Sequence, residues 1–283
     1  MIMHQREIDG RQESVWPMKI VFFDIDGTLY DREDPRGVPQ STVQAVRELQ
    51  KAGNLAIICT GRCMSCVEPY IRGIGFDGYI AGCGTHIIYK KQELWYQTLS
   101  TDIICRVDRL CKEEQVMPIF EGSQYLYIDE ADCTGENLRF YHFYEQFYKG
   151  KVRSIDHGAK DVCKFTVRLN PDDLCDAKKR RLAASFTKFD LEILDKGHSL
   201  EVYPCGSGKG EGIRRFLTLT GYEQADTYAF GDGVNDITMM EQVRFGIALG
   251  HADSRLLHAC CCETDDLYEN GIFNACKKLH LIP

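Results

Sequence analysis

Asp24-Ile25-Asp26-Gly27-Thr28-Leu29 follows directly on the apolar run Ile20-Val21-Phe22-Phe23. A short apolar run bounded by polar residues reads as a buried strand, which puts both aspartates at a strand's end. Two residues apart, they point the same way if the chain stays extended, or open around a turn at Gly27. Like charges this close repel. They are tolerable when a cation lies between them or one is protonated, the two conditions phosphoryl transfer uses. A calcium-binding EF-hand would need a further Glu on schedule and two flanking helices, whereas here a strand precedes the motif.

Three more apolar runs have the same grammar: Leu55 to Cys59, Tyr228 to Phe230 and Gly246 to Leu249. Helices are expected between them: Ser41 to Ala52, with Ser41 as N-cap and Gly53 as the stop, then Met64 to Arg72, Gly210 to Leu219 and Asn235 to Gln242. Alternating strands and helices predict an α/β fold with a doubly wound, parallel, Rossmann-like sheet. The middle of the chain reads differently. Helices at Asp102 to Glu114, Glu136 to Lys149 and Asp172 to Phe186 mix with strands near Pro118 to Phe120, Tyr125 to Ile128, Cys163 to Leu169, Leu191 to Leu194 and Leu200 to Tyr203. The expected division is an N-terminal extension at 1–17, a discontinuous core at 18–99 and 199–283, and an inserted α+β cap at 100–198.

Three other polar clusters stand out. Thr60-Gly61-Arg62 follows the second apolar run, where a hydroxyl and the free N–H groups of a helix start suit a phosphate. Lys209, in Ser207-Gly208-Lys209-Gly210, opens a helix and would offset negative charge. Gly231-Asp232-Gly233-Val234-Asn235-Asp236 sets two carboxylates at i and i+4 around a glycine turn, a pattern suited to a hard cation. Each cluster falls at the carboxyl end of a predicted strand, and in an open parallel sheet those ends share the edge where ligands bind.

On these four motifs the chain, from Met18 to Asn274, resembles the haloacid dehalogenase superfamily, in particular its Cof-like phosphatases with an inserted cap. The resemblance implies that Asp24 is a nucleophile and Asp26 a general acid and base. It implies that Thr60, with Gly61 and the lesser candidate Arg62, binds the transferring phosphoryl group, that Lys209 neutralises it, and that Asn235 contacts it. It also implies a magnesium ion held by Asp24, the backbone carbonyl of Asp26, and Asp232, with Asp236 holding the metal's waters or Lys209. The chain departs from the family in having Gly82-Cys83-Gly84-Thr85 for Asn-Gly-Ala and Gly250-His251-Ala252 for Gly-Asn-Ala. His251 is expected to be a surface or supporting residue rather than a base. The stretch Glu263 to Ile272 resembles the family's late Asp/Asn-rich loop.

Composition narrows the partners. With 34 Lys+Arg against 42 Asp+Glu, a net charge of −8 excludes a general nucleic-acid binder but leaves small anions open. No run of about 18 apolar residues spans a membrane, and Met1 to Trp16 lacks a signal-peptide core, so a cytoplasmic location is expected. The 14 cysteines are scattered, and both the Cys63-x-x-Cys66 pair and the Cys260-Cys261-Cys262 triplet lack partners at zinc spacing. They read as reduced and structural.

The expected reaction is hydrolysis of a small phosphate monoester, a sugar phosphate by default. The aromatic stripe Phe140, Tyr141, Phe143, Tyr144, Phe147, Tyr148 could line a pocket for a flavin or pyridoxal phosphate, but such spacing more often packs a helix on its sheet. Lys178-Lys179-Arg180-Arg181 reads as a solvated helix face. A phosphomutase would need cap arginines such as Arg139, Arg153 and Arg168 to grip a second phosphate. An inactive phosphate sensor is the remaining alternative.

Overall fold

A computed structural model of the chain describes residues 18–155, 160–169, 176–189, 191–195 and 197–283. The extension at 1–17 and the expected helix start at Asp172 lie outside them. Along the chain come β1 (Ile20–Phe23), α1 (Gln40–Lys51), β2 (Leu55–Cys59), α2 (Pro69–Ile74), β3 (Gly78–Ala81), β4 (His86–Tyr89) and β5 (Gln92–Tyr96). Then follow α3 (Thr101–Glu113), β6 (Met117–Gly122), β7 (Leu126–Tyr127), α4 (Gly135–Phe147), β8 (Val152–Arg153), β9 (Val162–Arg168), α5 (Asp176–Thr187), β10 (Leu191–Asp195) and β11 (Ser199–Pro204). The chain closes with α6 (Lys209–Thr220), β12 (Thr227–Gly231), α7 (Ile237–Glu241), β13 (Phe245–Ala248), α8 (Ser254–Leu257), β14 (Cys262–Glu263) and α9 (Gly271–Lys278).

The first sheet has the order β14-β13-β12-β1-β2-β3-β4-β5, parallel from β14 to β3 and antiparallel from there to β5. All four residues of β1 are buried, as a strand covered on both faces requires. Val21 and Phe23 pack with Val46 and Leu49 of α1 and Ile272 and Cys276 of α9. Ile20 and Phe22 face the other way, onto Ile213 and Phe216 of α6 and Met239 and Met240 of α7. The alternation of one strand thus joins two helical layers.

The second sheet has the order β10-β11-β9-β6-β7-β8, antiparallel except between β7 and β8. One face carries α3 and α5 through Ile104, Val107, Leu182 and Phe186. On the other, Met117, Ile119, Leu126 and Ile128 meet Leu138, Phe140, Tyr141 and Tyr144 of α4. That helix is less enclosed than its stripe suggested: Phe143 and Phe147 stack on each other and are 45% and 42% exposed. The basic run of α5 is less solvated than expected, with Lys178 buried and Arg181 paired to Glu114 at 2.9 Å.

Several expected boundaries move for local reasons. Ser41 does not cap α1. The helix begins at Gln40 behind Pro39, whose preset backbone lets its carbonyl accept from Thr42 and Val43. The helix expected over Met64 to Arg72 is split by Pro69, which holds Glu68 extended (φ −64°, ψ 149°) between a 3-10 turn at Met64–Cys66 and α2. Asn235 lies in a 3-10 turn, Val234–Asp236, before α7. The boundary drawn at 198 falls beside β11, which belongs to the second sheet. Among the described residues no helix is long and apolar enough to cross a membrane.

Candidate active site

The loop after β1 turns sharply enough for Gly27 N–H to donate to the Tyr30 carbonyl at 3.0 Å. Gly27 has φ +80°, and a Cβ there would collide with the carboxylate of Asp232, so its lack of a side chain serves both the turn and the approach of a second acid. Thr28 Oγ1 donates to Asp232 Oδ1 at 2.8 Å. The loops after β1 and β12, neighbours in the sheet, are thereby locked together.

Asp24, Asp232 and Asp236 bring carboxylate oxygens within 4.8 Å of one another. Lys209, the first residue of α6, places its Nζ 2.6 Å from Asp24 Oδ1 and 2.5 Å from Asp236 Oδ1. The second oxygen of Asp236 accepts from the Asp232 and Gly233 N–H groups at 3.1 and 3.0 Å. Counted as ionised, three carboxylates against one ammonium carry a formal charge of −2. Asp24, Lys209 and Asp236 are at most 3% exposed, so water screens little of it. Burial, then Asp236, pushes the Asp24 carboxyl well above the usual carboxylate range against the pull of Lys209. Burial and Asp236 push Asp232 up to about 6. The three carboxylates could hold a metal ion, and an all-oxygen set suits a hard one.

Lys209 reaches the site by a route other than the one expected. The strand before it, β11, belongs to the second sheet, so its ammonium is delivered by the start of α6 rather than by a strand end of the first.

Asp26 is not part of the carboxylate group. Its side chain turns to Arg62, which donates to both its oxygens, Nε at 2.8 Å and Nη2 to the other. Burial works against the Asp26 charge, but the Arg62 hydrogen bonds prevail and hold its carboxyl below the usual range. Arg62 also donates to Glu68 at 2.5 Å and to the Tyr30 hydroxyl at 2.9 Å, and that hydroxyl donates to Glu68 at 2.8 Å. The guanidinium expected beside a phosphate is thus spent on an acid.

Thr60 is fully buried, and its hydroxyl accepts from the Arg62 N–H at 3.2 Å. No α-helix starts there, and the expected free N–H groups are mostly taken: Thr60 N–H donates to the Ile80 carbonyl at 2.8 Å and Arg62 N–H to Thr60 Oγ1. His251 receives no catalytic geometry. It contacts the Gly27 carbonyl at 2.8 Å and Asp266 at 3.1 Å, bracing the motif loop from outside.

These elements open on a cavity of about 350 Å³ between the sheets, lined below by Asp24, Asp26, Gly61, Arg62 and Asn235. The second sheet supplies Glu121, Lys164, Thr166 and Glu201, and Arg32, Tyr144 and Tyr148 stand at the side. Lys164 is 2% exposed and donates to Glu121 at 2.9 Å and Glu201 at 2.7 Å, while Thr166 donates to Glu121 at 2.7 Å. Glu201 comes close enough to Gly61 that one of its oxygens lies 3.1 Å from where a Cβ would stand. Glu121, Lys164, Thr166, Glu201 and Arg32 were not singled out from the sequence. Lys164 and Glu201 were findable as charges inside apolar strands, which are costly to bury unless paired. A second acid group, Asp108, Asp129 and Asp132, lies away from the cavity and is bridged by Lys112 at 3.0 and 3.3 Å.

The family model for haloacid dehalogenase-like hydrolase matches residues 21–276, nearly the whole chain. The chain belongs to that family. Over 273 residues it is 30% identical to YkrA of Bacillus subtilis, covering 93% of this chain and 98% of that protein. It is 24% identical to the Bacillus subtilis 5-amino-6-(5-phospho-D-ribitylamino)uracil phosphatase YwtE, covering 90% and 96%. Among solved structures, the subclass IIB sugar phosphatase BT4131 superposes with a TM-score of 0.77 at 24% identity, covering 94% of this chain and 100% of that one. A Geobacillus kaustophilus protein superposes with a TM-score of 0.78 at 26% identity, covering 94% and 100%. This haloacid dehalogenase-like hydrolase is a phosphatase, with its catalytic sheet and cap in the arrangement of that fold.

Proposed function

We propose that this phosphatase hydrolyses small phosphate monoesters by transferring the phosphoryl group to Asp24 and then to water, with magnesium as its metal. The observation that carries the reading is the gathering of three carboxylates, Asp24, Asp232 and Asp236, within 4.8 Å of one another beside the single ammonium of Lys209. Asp24, Asp232 and the Asp26 carbonyl would hold the ion, with Asp236 behind them aiming Lys209 and the Asp232 loop. Bound there, magnesium supplies charge neutralisation and polarises the phosphoryl oxygens. The division of labour gives 18–99 and 205–283 to the chemistry and the insert from 100 to 204 to the leaving group.

In the first step an Asp24 oxygen attacks phosphorus and the P–O bond to the alcohol breaks, while Asp26, ionised beside Arg62 at rest, takes up a solvent proton and passes it to the departing oxygen. In the second, Asp26 takes a proton from the water that hydrolyses the aspartyl phosphate. Thr60, the Gly61 N–H, Asn235 and Lys209 would surround the phosphoryl oxygens. Arg62 acts as a positioning residue: it aims Asp26 and sets its charge.

The cavity favours a hydroxylated leaving group such as a sugar. Beside the apolar Ile119 and Leu126, its roof presents carboxylates, an ammonium and a hydroxyl at Glu121, Glu201, Lys164 and Thr166, and only Tyr144 and Tyr148 of the aromatic stripe line it. A phosphomutase is not favoured, because Arg153 and Arg168 lie over the rings of Tyr125 and Phe140, and neither they nor Arg139 line the cavity.

Two results are expected. Phosphate release from p-nitrophenyl phosphate should stop in EDTA and return with magnesium; undiminished turnover in EDTA refutes the metal reading. Changing Arg62 to Met should raise the Asp26 pKa, because burial then acts without the opposing hydrogen bonds. Asp26 must be ionised for the second step, so where that step limits turnover a raised pKa makes the rate fall earlier on acidification. The acid limb of the pH–rate profile should therefore move to higher pH, and an unmoved limb would show that Asp26 is not the group.

A further inference from the structure

Cys63 and Cys163 come from the two different sheets' territories, and their sulfurs lie 3.3 Å apart. Cys63 follows Arg62 in the loop after β2; Cys163 is the second residue of β9. Each is at most 1% exposed. The space in which they meet is made by Gly82 (φ +58°), where a Cβ would lie 3.2 Å from the Cys163 sulfur, 3.4 Å from that of Cys63 and 2.5 Å from Thr85 Oγ1. Gly82 belongs to the stretch Gly82-Cys83-Gly84-Thr85, one of the two places where the sequence departs from its family and to which the chemistry above gives no role. The contact around the pair is close: Ser65 Oγ donates to the Gly122 carbonyl at 2.7 Å, and the Leu99 N–H, in the outgoing linker, donates to the Val162 carbonyl at 2.8 Å.

We propose that Cys63 and Cys163 are an oxidative modification site, at which a peroxide closes a disulfide that ties the cap to the catalytic sheet and stops turnover. The sulfurs must approach by about 1.3 Å to reach bonding distance, a side-chain adjustment in the space over Gly82. Hydrogen peroxide first converts the Cys163 thiol to a sulfenic acid, its O–O bond breaking and one water leaving. The Cys63 sulfur then attacks the sulfenyl sulfur, forming S–S and expelling a second water. Two thiols and one peroxide give one disulfide and two waters, with two electrons passing from sulfur to oxygen.

The two thiols are unequal in a way that suits this order. The Cys63 hydrogen bond, ahead of Thr85 and Lys164, holds Cys163 below the usual thiol range, whereas burial pushes Cys63 up. The chain already crosses between the sheets twice, near Leu99 and after Pro204. A third covalent tie leaves the cap no rotation by which to admit substrate or release product. The loss of turnover rests on the phosphatase reading; the formation of the bond does not.

Purified enzyme treated with hydrogen peroxide, alkylated and digested without reductant should yield a peptide pair joined through Cys63 and Cys163. Turnover of p-nitrophenyl phosphate should fall at least tenfold and recover with dithiothreitol. Cys63→Ser and Cys163→Ser should each keep their turnover through the same treatment, while Cys205→Ser, at an exposed position, should be inactivated like the parent. Absence of the joined peptides while Cys205 is oxidised overturns the site. Joined peptides with turnover unchanged, or inactivation of Cys163→Ser, overturn the switch. An inactive reduced enzyme would count against the phosphatase reading alone, since the peptide map still decides whether the bond forms.

Discussion

Asp24→Asn should lower turnover by about 10⁴-fold or more, the loss expected when a covalent nucleophile is removed. The amide keeps the shape of the carboxylate and can still accept from Lys209, which in the parent lies 2.6 Å from Asp24 Oδ1. What it cannot do is form the acyl phosphate. The same change takes one formal charge from a group that counts −2, where burial and Asp236 already disfavour ionised Asp24. Thermal unfolding of the metal-free variant should therefore occur at the parent's temperature or above it. Loss of turnover with stability retained is the expected pair of results, measured by phosphate release and a melting curve. Full turnover would remove the covalent mechanism, and a large drop in melting temperature would mean that the charge count at the site is wrong.

Lys209→Met should damage both stability and rate. Its ammonium is 3% exposed and pairs with two carboxylates, and both neighbours raise its pKa despite the cost of burial. Methionine has a similar length and no charge. Removing one partner of a buried ion pair leaves the others uncompensated, at a cost of about 3–5 kcal/mol. The formal charge of the group goes from −2 to −3, so magnesium should restore more stability to this variant than to the parent. Loss of the cation facing the phosphoryl group should slow turnover by about 10²- to 10³-fold. Melting curves with and without magnesium, run beside a rate assay, test this. A variant that melts and turns over like the parent would show that Lys209 is a bystander.

The parallel sheet was legible because each of its central strands is a short apolar run ending in polar residues, and a strand buried on both faces leaves that mark. The candidate site was legible for the same reason, since its acids stand where those runs stop. Arg62 was harder. Its place beside Thr60 suggested a phosphate, and the acids that capture it, Asp26 and Glu68, are 36 and 6 residues away. The roof of the cavity was harder still. Glu121 and Lys164 face each other across β6 and β9, and Thr166 faces Glu201 across β9 and β11. That register is a property of three strands together and cannot be read from any one of them. Pro69 could have been weighed more heavily, since a proline after five helical residues predicts the break found at Glu68.

Where the chain leaves the first sheet and where it returns are held side by side, for Ser207 Oγ donates to Gln97 Oε1 at 3.4 Å. Everything between those two residues is a plug with both its wires in one socket. Such a plug can be exchanged between relatives, or lengthened and reshaped, without altering the distance that the catalytic sheet must span. Substrate preference can then drift by whole-module replacement while Asp24 and its neighbours keep their positions, two residues beyond the returning wire at Lys209.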